Sequence, residues 1–274
     1  MIVTWSKSSS DSGMPESLLT ETLPQVRRHP WWRARARLAL AILRSRRIMP
    51  PARVLDVGCG WGVNLLALES AGYTAVGLDS SRQILQRIDC PNRRLIEVDL
   101  TQELPRERVS ADAMLVLDVI EHMDDDRGLL RRVAQLLRPS GVAVVSVPAR
   151  PDLFSEFDRI QGHRRRYLPD SLRAAFVDSG LSVSQLFWWG AWMVPVLRHM
   201  RSVNRVVRGE HAKNYREYLR LPWWPLPVAM QLLYALEQPI AMSGKLVTGT
   251  SLFAVAERDQ EHRVASRCSD SKFW

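Results

Sequence analysis

Short, almost purely apolar runs alternate along this chain with stretches in which apolar residues recur at helical spacing. The runs over residues 53–57, 74–78, 95–98, 113–117, 142–147, 181–188 and 251–256 predict seven strands, of which 142–147 is almost purely apolar, as a strand covered on both faces should be. Helices are expected over 63–71, from a cap at Ser80 or Ser81 to residue 88, and from Asp126 or Arg127 to residue 137. Asp124, Asp125 and Asp126 read as caps of the last of these. Another helix follows Tyr167, started by Asp170 or Ser171 and stopped by Gly180. Such an alternation of strand and helix predicts a parallel α/β sheet.

The ends and one internal stretch depart from this rhythm. Residues 1–15 are rich in Ser and lack an apolar core of the secretory kind, so 1–26 is expected to be a disordered tail. Residues 27–47 read as one helix, with Leu38, Ala39, Ile42 and Leu43 on an apolar face and six arginines, at 33, 35, 37, 44, 46 and 47. Pro50 and Pro51 end it. The stretch 190–249 contains Pro195, Pro222, Pro225, Pro227 and Pro239, which predicts several short helices inserted between the sixth and seventh strands. The domain is therefore taken as 27–258, with a core of 50–189 and 250–257, and 259–274 as a loose tail. The most apolar part of the insertion, 221–236, is shorter than the roughly 20 residues a spanning helix needs and is broken by prolines. It can be a lid over a substrate. It can also touch a membrane surface, with Trp223 and Trp224 at the interface and Arg198, Arg201, Arg205 and Arg208 near lipid phosphates.

Candidate chemistry centres on Val54-Leu-Asp-Val-Gly-Cys-Gly-Trp-Gly62, a buried strand running into a glycine-rich turn. Glycine lets a ligand approach bare backbone, and the helix start that follows offers donors to it. The strand over 74–78 ends at Asp79, about twenty residues on, the distance at which a carboxylate takes ribose hydroxyls in a βαβ unit. A dinucleotide fingerprint would place its third glycine where Val63 stands. The pattern Asp56-x-Gly58-x-Gly60-x-Gly62 instead resembles the first motif of class I S-adenosylmethionine-dependent methyltransferases. Leu117-Asp-Val-Ile-Glu-His-Met-Asp124, after the fourth strand, is similar to the small-molecule branch that includes quinone-biosynthesis O-methyltransferases.

That resemblance implies a Rossmann-like, seven-stranded, mostly parallel sheet with an antiparallel last strand, helices on both faces and the helical insertion between strands six and seven. It implies S-adenosyl-L-methionine as cofactor. Asp79, followed by Ser80, would meet the ribose. Asp99 would meet the adenine amino group and Leu100 would line the ring. Asp56 would organise the loop Gly58-Cys59-Gly60, and Leu117 and Asp118 would pass beneath the methionine part. The helix over 27–47 would cover the cofactor, as N-terminal helices do in that family; it can also lie on a membrane surface. Glu121 and His122 would sit near the acceptor opening, where relatives link the pair to a metal, to acid–base work or to bracing; no metal is assigned here.

The segment Glu156-Phe-Asp-Arg-Ile-Gln-Gly-His-Arg-Arg-Arg-Tyr167 follows the fifth strand, where open α/β sheets bind ligands. His163 and Tyr167, with His122, are candidates to orient or deprotonate an acceptor. Arg164, Arg165 and Arg166 can clamp a carboxylate or phosphate, or pair with Glu156 and Asp158.

Composition narrows the partners. The 274 residues carry a formal charge of +9 and ten tryptophans. The charge admits nucleic acid, a membrane surface or an anionic substrate. After the fourth strand, however, the N-P-P-Y-type motif of nucleic-acid amine methyltransferases is replaced by Asp118-Val-Ile-Glu121. Three cysteines, odd in number and widely spaced, fit a reducing cytoplasm without a structural metal. The reading is methyl transfer to a small-molecule acceptor, an oxygen of an amphiphilic or anionic metabolite. A nucleic-acid methyltransferase and a non-catalytic cofactor-binding scaffold are the alternatives.

Overall fold

The computed structural model describes residues 2–7, 14–88, 93–102, 104, 110–203, 219–220 and 224–259. Eight strands form one sheet: β1 (Ile2–Thr4), β2 (Arg53–Val57), β3 (Thr74–Asp79), β4 (Arg94–Glu97), β5 (Ala111–Leu117), β6 (Leu137–Pro148), β7 (Leu181–Trp189) and β8 (Ser251–Arg258). Their order is β1-β4-β3-β2-β5-β6-β8-β7. All pairs are parallel except β8, which runs antiparallel to β6 and β7. The described helices are α1 (Glu16–Arg28), α2 (Pro30–Ser45), α3 (Val63–Ser70), α4 (Arg82–Ile88), α5 (Asp126–Ala134), α6 (Glu156–Ile160), α7 (Pro169–Ala175), α8 (Met193–Val203) and α9 (Leu226–Met242).

The expected Rossmann-like sheet with its antiparallel last strand is present, with one strand more. Residues 2–4, expected to be tail, run parallel along β4, where Ile2 pairs with Leu95 and Thr4 with Glu97. The β-branched Ile2 and Val3 thereby cover an edge whose N–H and C=O groups would otherwise stand unpaired. Residues 16–28 are likewise ordered, because α1 buries Leu18, Leu19 and Val26. The single helix expected over 27–47 is two helices. Pro30 opens α2 at its first turn, and the His29 ring accepts the Trp31 amide at 3.2 Å. Toward the fifth predicted strand, α5 stops at Ala134 and β6 begins already at Leu137, which pairs with Ala111 before a register shift.

The insertion is helical, but α9 is a single helix of 17 residues rather than a short one. Pro225 and Pro227 lie at its start, where the missing N–H has no helical partner to lose. Residues 204–218 and 221–223, and the tail from 260 on, lie outside the described residues. Expectations for Arg205, Arg208, Pro222 and Trp223 fall there.

Two cores flank the sheet. One packs α5 and α7 against Leu55, Val116 and Val145. The other packs α2 and α9 against Val54, Leu115, Phe187 and Phe253. Parallel register brings the carboxyl ends of β2, β3 and β5 level, with Val57 opposite both Leu78 and Val116. The chain turns from β3 and β4 on one side of β2 to β5 on the other, so a switch point opens above Val57.

Candidate active site

The glycine loop leaves β2 with positive φ at Gly58, Gly60 and Gly62. A Cβ added to Gly58 would lie 2.6 Å from Cγ2 of Val119, so this glycine lets the loop pack on the turn after β5. At Gly60 the nearest atom to an added Cβ is the Gly58 carbonyl oxygen at 3.9 Å. Its backbone therefore faces open space, a cradle that a side chain would fill. The loop is tied to β3 by the Cys59 amide, which donates to Leu78 O at 2.9 Å, and by the Gly60 amide, which donates to Asp79 Oδ2 at 2.8 Å. Cys59 is a free, buried thiol whose pKa burial pushes up.

Three carboxylates stand at the neighbouring strand ends. Asp79 also accepts the Ser81 amide at 2.9 Å, and its pKa is raised, chiefly by burial. Ser81 in turn caps α4 through the Ile84 amide, as expected. Asp99 accepts the Thr101 amide at 2.9 Å and its hydroxyl at 2.6 Å. Both acids, with Ser80 and Leu100, line the central cavity. Asp56 does not: it is buried behind the loop, where its Oδ1 accepts from Asn64 Nδ2 at 3.1 Å. Burial raises its pKa to about 7. Any hold on a bound ligand would pass through Asn64, which lines the cavity.

Beyond β5 the backbone turns at Asp118, at φ 57. Asp118 accepts from Ser146 Oγ at 3.0 Å and forms an ion pair with Arg35 of α2. The sequence assigns Arg35 no role beyond membership of the six arginines of the helix expected over 27–47, although a charge in phase with Leu38 and Ile42 on an apolar face is a signal of a buried partner. Its guanidinium also lies 4.7 Å from the Trp31 ring centroid. Of the acidic triplet expected to cap the helix, Asp125 is the cap of α5, accepting the Gly128 amide at 2.8 Å, while Asp124 pairs with Arg164 and Asp126 with Arg165.

The loop after β6 folds back over this turn. His163 Nδ1 lies 3.2 Å from Asp158 Oδ1, and its Nε2 lies 3.9 Å from Glu121 Oε1. Asp158 also accepts from Arg166 Nε at 2.7 Å. Glu121 is fully buried with no hydrogen-bond partner on either oxygen, and burial, then Asp118, pushes its pKa well up. Burial and the adjacent His163 lower His122 to about 3. Donor atoms of Glu121, His122 and His163 lie within 4.8 Å of one another, the one such trio among the described residues that could approach a cation.

The segment His163-Arg-Arg-Arg-Tyr167 divides by position. His163 and Arg166 line the cavity, and so does His122. Arg164 instead donates to His122 O at 2.7 Å and pairs with Asp124, while Arg165 donates to Met123 O at 3.0 Å and pairs with Asp126. Tyr167 is buried, with its hydroxyl donating to Asp126 Oδ2 at 2.8 Å. Burial and Asp126 raise its pKa, so it holds its proton. These three side chains lock the two loops together and stand outside the cavity lining.

The cavity encloses about 510 Å³. It runs without interruption from Gly60, Asp79 and Asp99, past Leu117 and Asp118, to His163 and Arg166. From there it continues to an apolar chamber of Trp192, Met193, Leu197 and Met230 from α8 and α9. Leu19 of α1 and Trp31 and Trp32 of α2 also line it, so the N-terminal helices cover the cleft as expected. Met193, Leu197 and Met230 of this chamber escaped sequence reasoning.

A model of the methyltransferase-domain family matches residues 27–186. The "Probable S-adenosylmethionine-dependent methyltransferase Rv3030" of Mycobacterium tuberculosis is 29% identical over 163 residues, 58% of this chain and 58% of that protein. A ubiquinone biosynthesis O-methyltransferase of Azorhizobium caulinodans is 32% identical over 108 residues, 38% of this chain and 43% of its own length. The match thus spans little more than half of the first relative and less than half of the second. Among solved structures, the [4+2]-cyclase SpnF shares the fold, with a TM-score of 0.53 at 16% identity over 82% of this chain and 80% of that one. A fold shared with a cyclase does not by itself name a reaction. The family match covers the glycine loop and all three strand-end carboxylates, and by it the chain belongs to the S-adenosylmethionine-dependent methyltransferases.

Proposed function

We propose that the protein transfers the methyl group of S-adenosylmethionine to an oxygen of a small, amphiphilic, anionic acceptor. The observation that carries this is the continuity of the cavity, which joins the bare Gly60 backbone to His163 and Arg166 and then to the apolar chamber. When bound, the cofactor supplies a methyl already activated by a sulfonium. The protein then needs only to align the nucleophile, exclude water and accept a proton. Alignment is worth on the order of 7–11 kcal/mol, and a base adds roughly 10²–10⁴-fold.

In this assignment Asp79 and Ser80 hold the ribose, Asp99 and Leu100 the adenine, and Gly58, Cys59 and Gly60 the backbone side of the nucleoside. Leu117 and Asp118 support the methionine part. Arg166, fixed by Asp158 and by Ala149 O at 2.9 Å, presents a positive charge to the acceptor's anionic group. His163 takes the acceptor proton on Nε2, with Nδ1–H held by Asp158. His122, held neutral by burial, is too weak a base for the task. The trio around Glu121 is read as acid–base support rather than a metal centre.

Free Cys59 accords with a reducing cytoplasm as the site of action. A non-catalytic cofactor-binding scaffold would bind S-adenosylmethionine and methylate no acceptor. A mass-spectrometric screen of metabolites methylated by the pure protein tests the assignment. Methylated amphiphilic acids support it, whereas methylated RNA or DNA alone would replace it with the nucleic-acid alternative.

A further inference from the structure

The outer surface of α9 is apolar. Every exposed residue along it is apolar: Leu226, Val228, Leu232, Leu233, Ala235, Leu236, Pro239 and Ile240. Leu232 and Leu236 are 61% and 69% exposed. Val228, Leu232, Leu236 and Ile240 follow at intervals of four and form one stripe. The opposite face carries Met230, Tyr234 and Ala241 and packs on α2 and β7. Trp224, 75% exposed, stands just before the helix.

A row of cations borders the stripe. On α2, Arg33, Arg37 and Arg44 are exposed, and their spacing places them on one face. Arg37 hydrogen-bonds Gln231 of α9, so this row runs beside the apolar stripe. Neither helix exposes an acid: α2 contains none, and the one in α9, Glu237, is buried, accepting the Ala191 amide at 2.8 Å. An apolar stripe edged by arginine, with a tryptophan at its end, is the pattern of a helix lying in a bilayer interface. No described helix is long and apolar enough to cross a membrane.

We propose that α9 and the arginine row of α2 dock this protein on an anionic lipid bilayer. Charge selects this occupant. A second copy docked stripe to stripe would bring two arginine rows together without an exposed acid on either helix to meet them, whereas anionic headgroups neutralise them. The surface also adjoins the active-site cavity, since Leu226 and Met230 of α9 line it. In that respect the inference rests on the amphiphilic acceptor proposed above, for which a lipid phase is the natural reservoir.

Flotation of the full chain with vesicles tests this. Vesicles of phosphatidylcholine with one part in three phosphatidylglycerol are compared with vesicles of phosphatidylcholine alone, at low and high salt. The expected result is association with the anionic vesicles only, weakened by salt. The Leu232→Glu/Leu236→Glu variant, altered on the solvent side, should lose about tenfold or more of that association, and Arg33→Ala/Arg44→Ala a smaller part. Calorimetry with S-adenosylmethionine on the same variants is the control. Unchanged cofactor affinity shows the site intact, so loss of vesicle binding reads on the surface and not on the catalytic assignment. No association with either vesicle, or equal association of the Leu232→Glu/Leu236→Glu variant, overturns the proposal. So does a wild-type dimer that this variant dissolves without any vesicle binding, since a second copy would then cover the face.

Discussion

The Gly60 amide donates to Asp79 Oδ2 across 2.8 Å. One carboxylate thus straps the glycine loop and stands at the strand end where the ribose is assigned. Asp79→Ala should therefore release the loop as well as the sugar. Affinity for S-adenosylmethionine is expected to fall roughly 10²–10⁴-fold, two charge-assisted hydrogen bonds being worth about 1.5–3 kcal/mol each. Asp79→Asn, which keeps an acceptor for Gly60, should lose less. Calorimetry measures both, with circular dichroism as a check on folding. Unchanged affinity in the alanine variant would remove the ribose assignment.

Gly58 and Gly60 should fail in different ways. A methyl at Gly58 meets Val119 at 2.6 Å, so Gly58→Ala is expected to lose about 1–3 kcal/mol of stability by overpacking and strain. Gly60→Ala has room, with only the Gly58 oxygen at 3.9 Å, so its methyl should occupy ligand space. Its melting temperature should fall less than that of Gly58→Ala, while its cofactor affinity falls more. Thermal melts with and without S-adenosylmethionine separate the two.

His163→Ala should lower turnover about 10²-fold or more, the range of a lost general base, while cofactor affinity stays within about twofold. Steady-state kinetics beside calorimetry decides this, and equal turnover would reduce His163 to a brace. Treatment with a chelator should leave the wild-type rate unchanged. A rate lost to the chelator and restored by a divalent cation would convert Glu121, His122 and His163 into a metal centre.

Asp56 should leave a signature in the pH dependence of stability. Its pKa is about 7 when folded, against roughly 3.9 in an unfolded chain. Between about pH 4 and 7 the native state holds a proton that the unfolded state has released, so this group's contribution to stability falls as pH rises through that window. Asp56→Asn cannot titrate, and its amide can still accept from Asn64 Nδ2. The variant should gain on wild type by a few kcal/mol between pH 4.5 and 7.5. His122 acts oppositely, since its folded pKa of about 3 means stability is lost as pH falls below about 6.5. Because both proteins retain His122, their difference isolates Asp56. Urea unfolding at the two pH values measures it, and a constant gap would show that Asp56 is ionised throughout.

Much of the site was legible before folding because its backbone elements are local. Gly58, Gly60 and Asp79 lie at strand ends whose apolar runs are self-evident, and parallel register brings them level. The edge strand at Ile2–Thr4 was not legible: three residues carry no period, and their pairing depends on β4, some ninety residues away. The break at His29 escaped because the apolar rhythm continues across it. The roles within His163-Arg-Arg-Arg-Tyr167 escaped for a different reason. Adjacent side chains in an irregular loop point different ways, and only the returning turn after β5 decides that Arg164 and Arg165 meet Asp124 and Asp126 while Arg166 reaches Asp158.

By itself, the order of residues determined the α/β alternation, the nucleoside-type loop and the acids beside it, because strand burial, glycine conformations and spacing within one βαβ unit are short-range properties. Tertiary structure alone decided that Arg35 neutralises Asp118, that His163 stands between Asp158 and Glu121, and that α9 turns its apolar stripe outward. Those outcomes depend on which faces meet across the sheet, and a one-dimensional pattern records that a face is apolar without recording what will cover it.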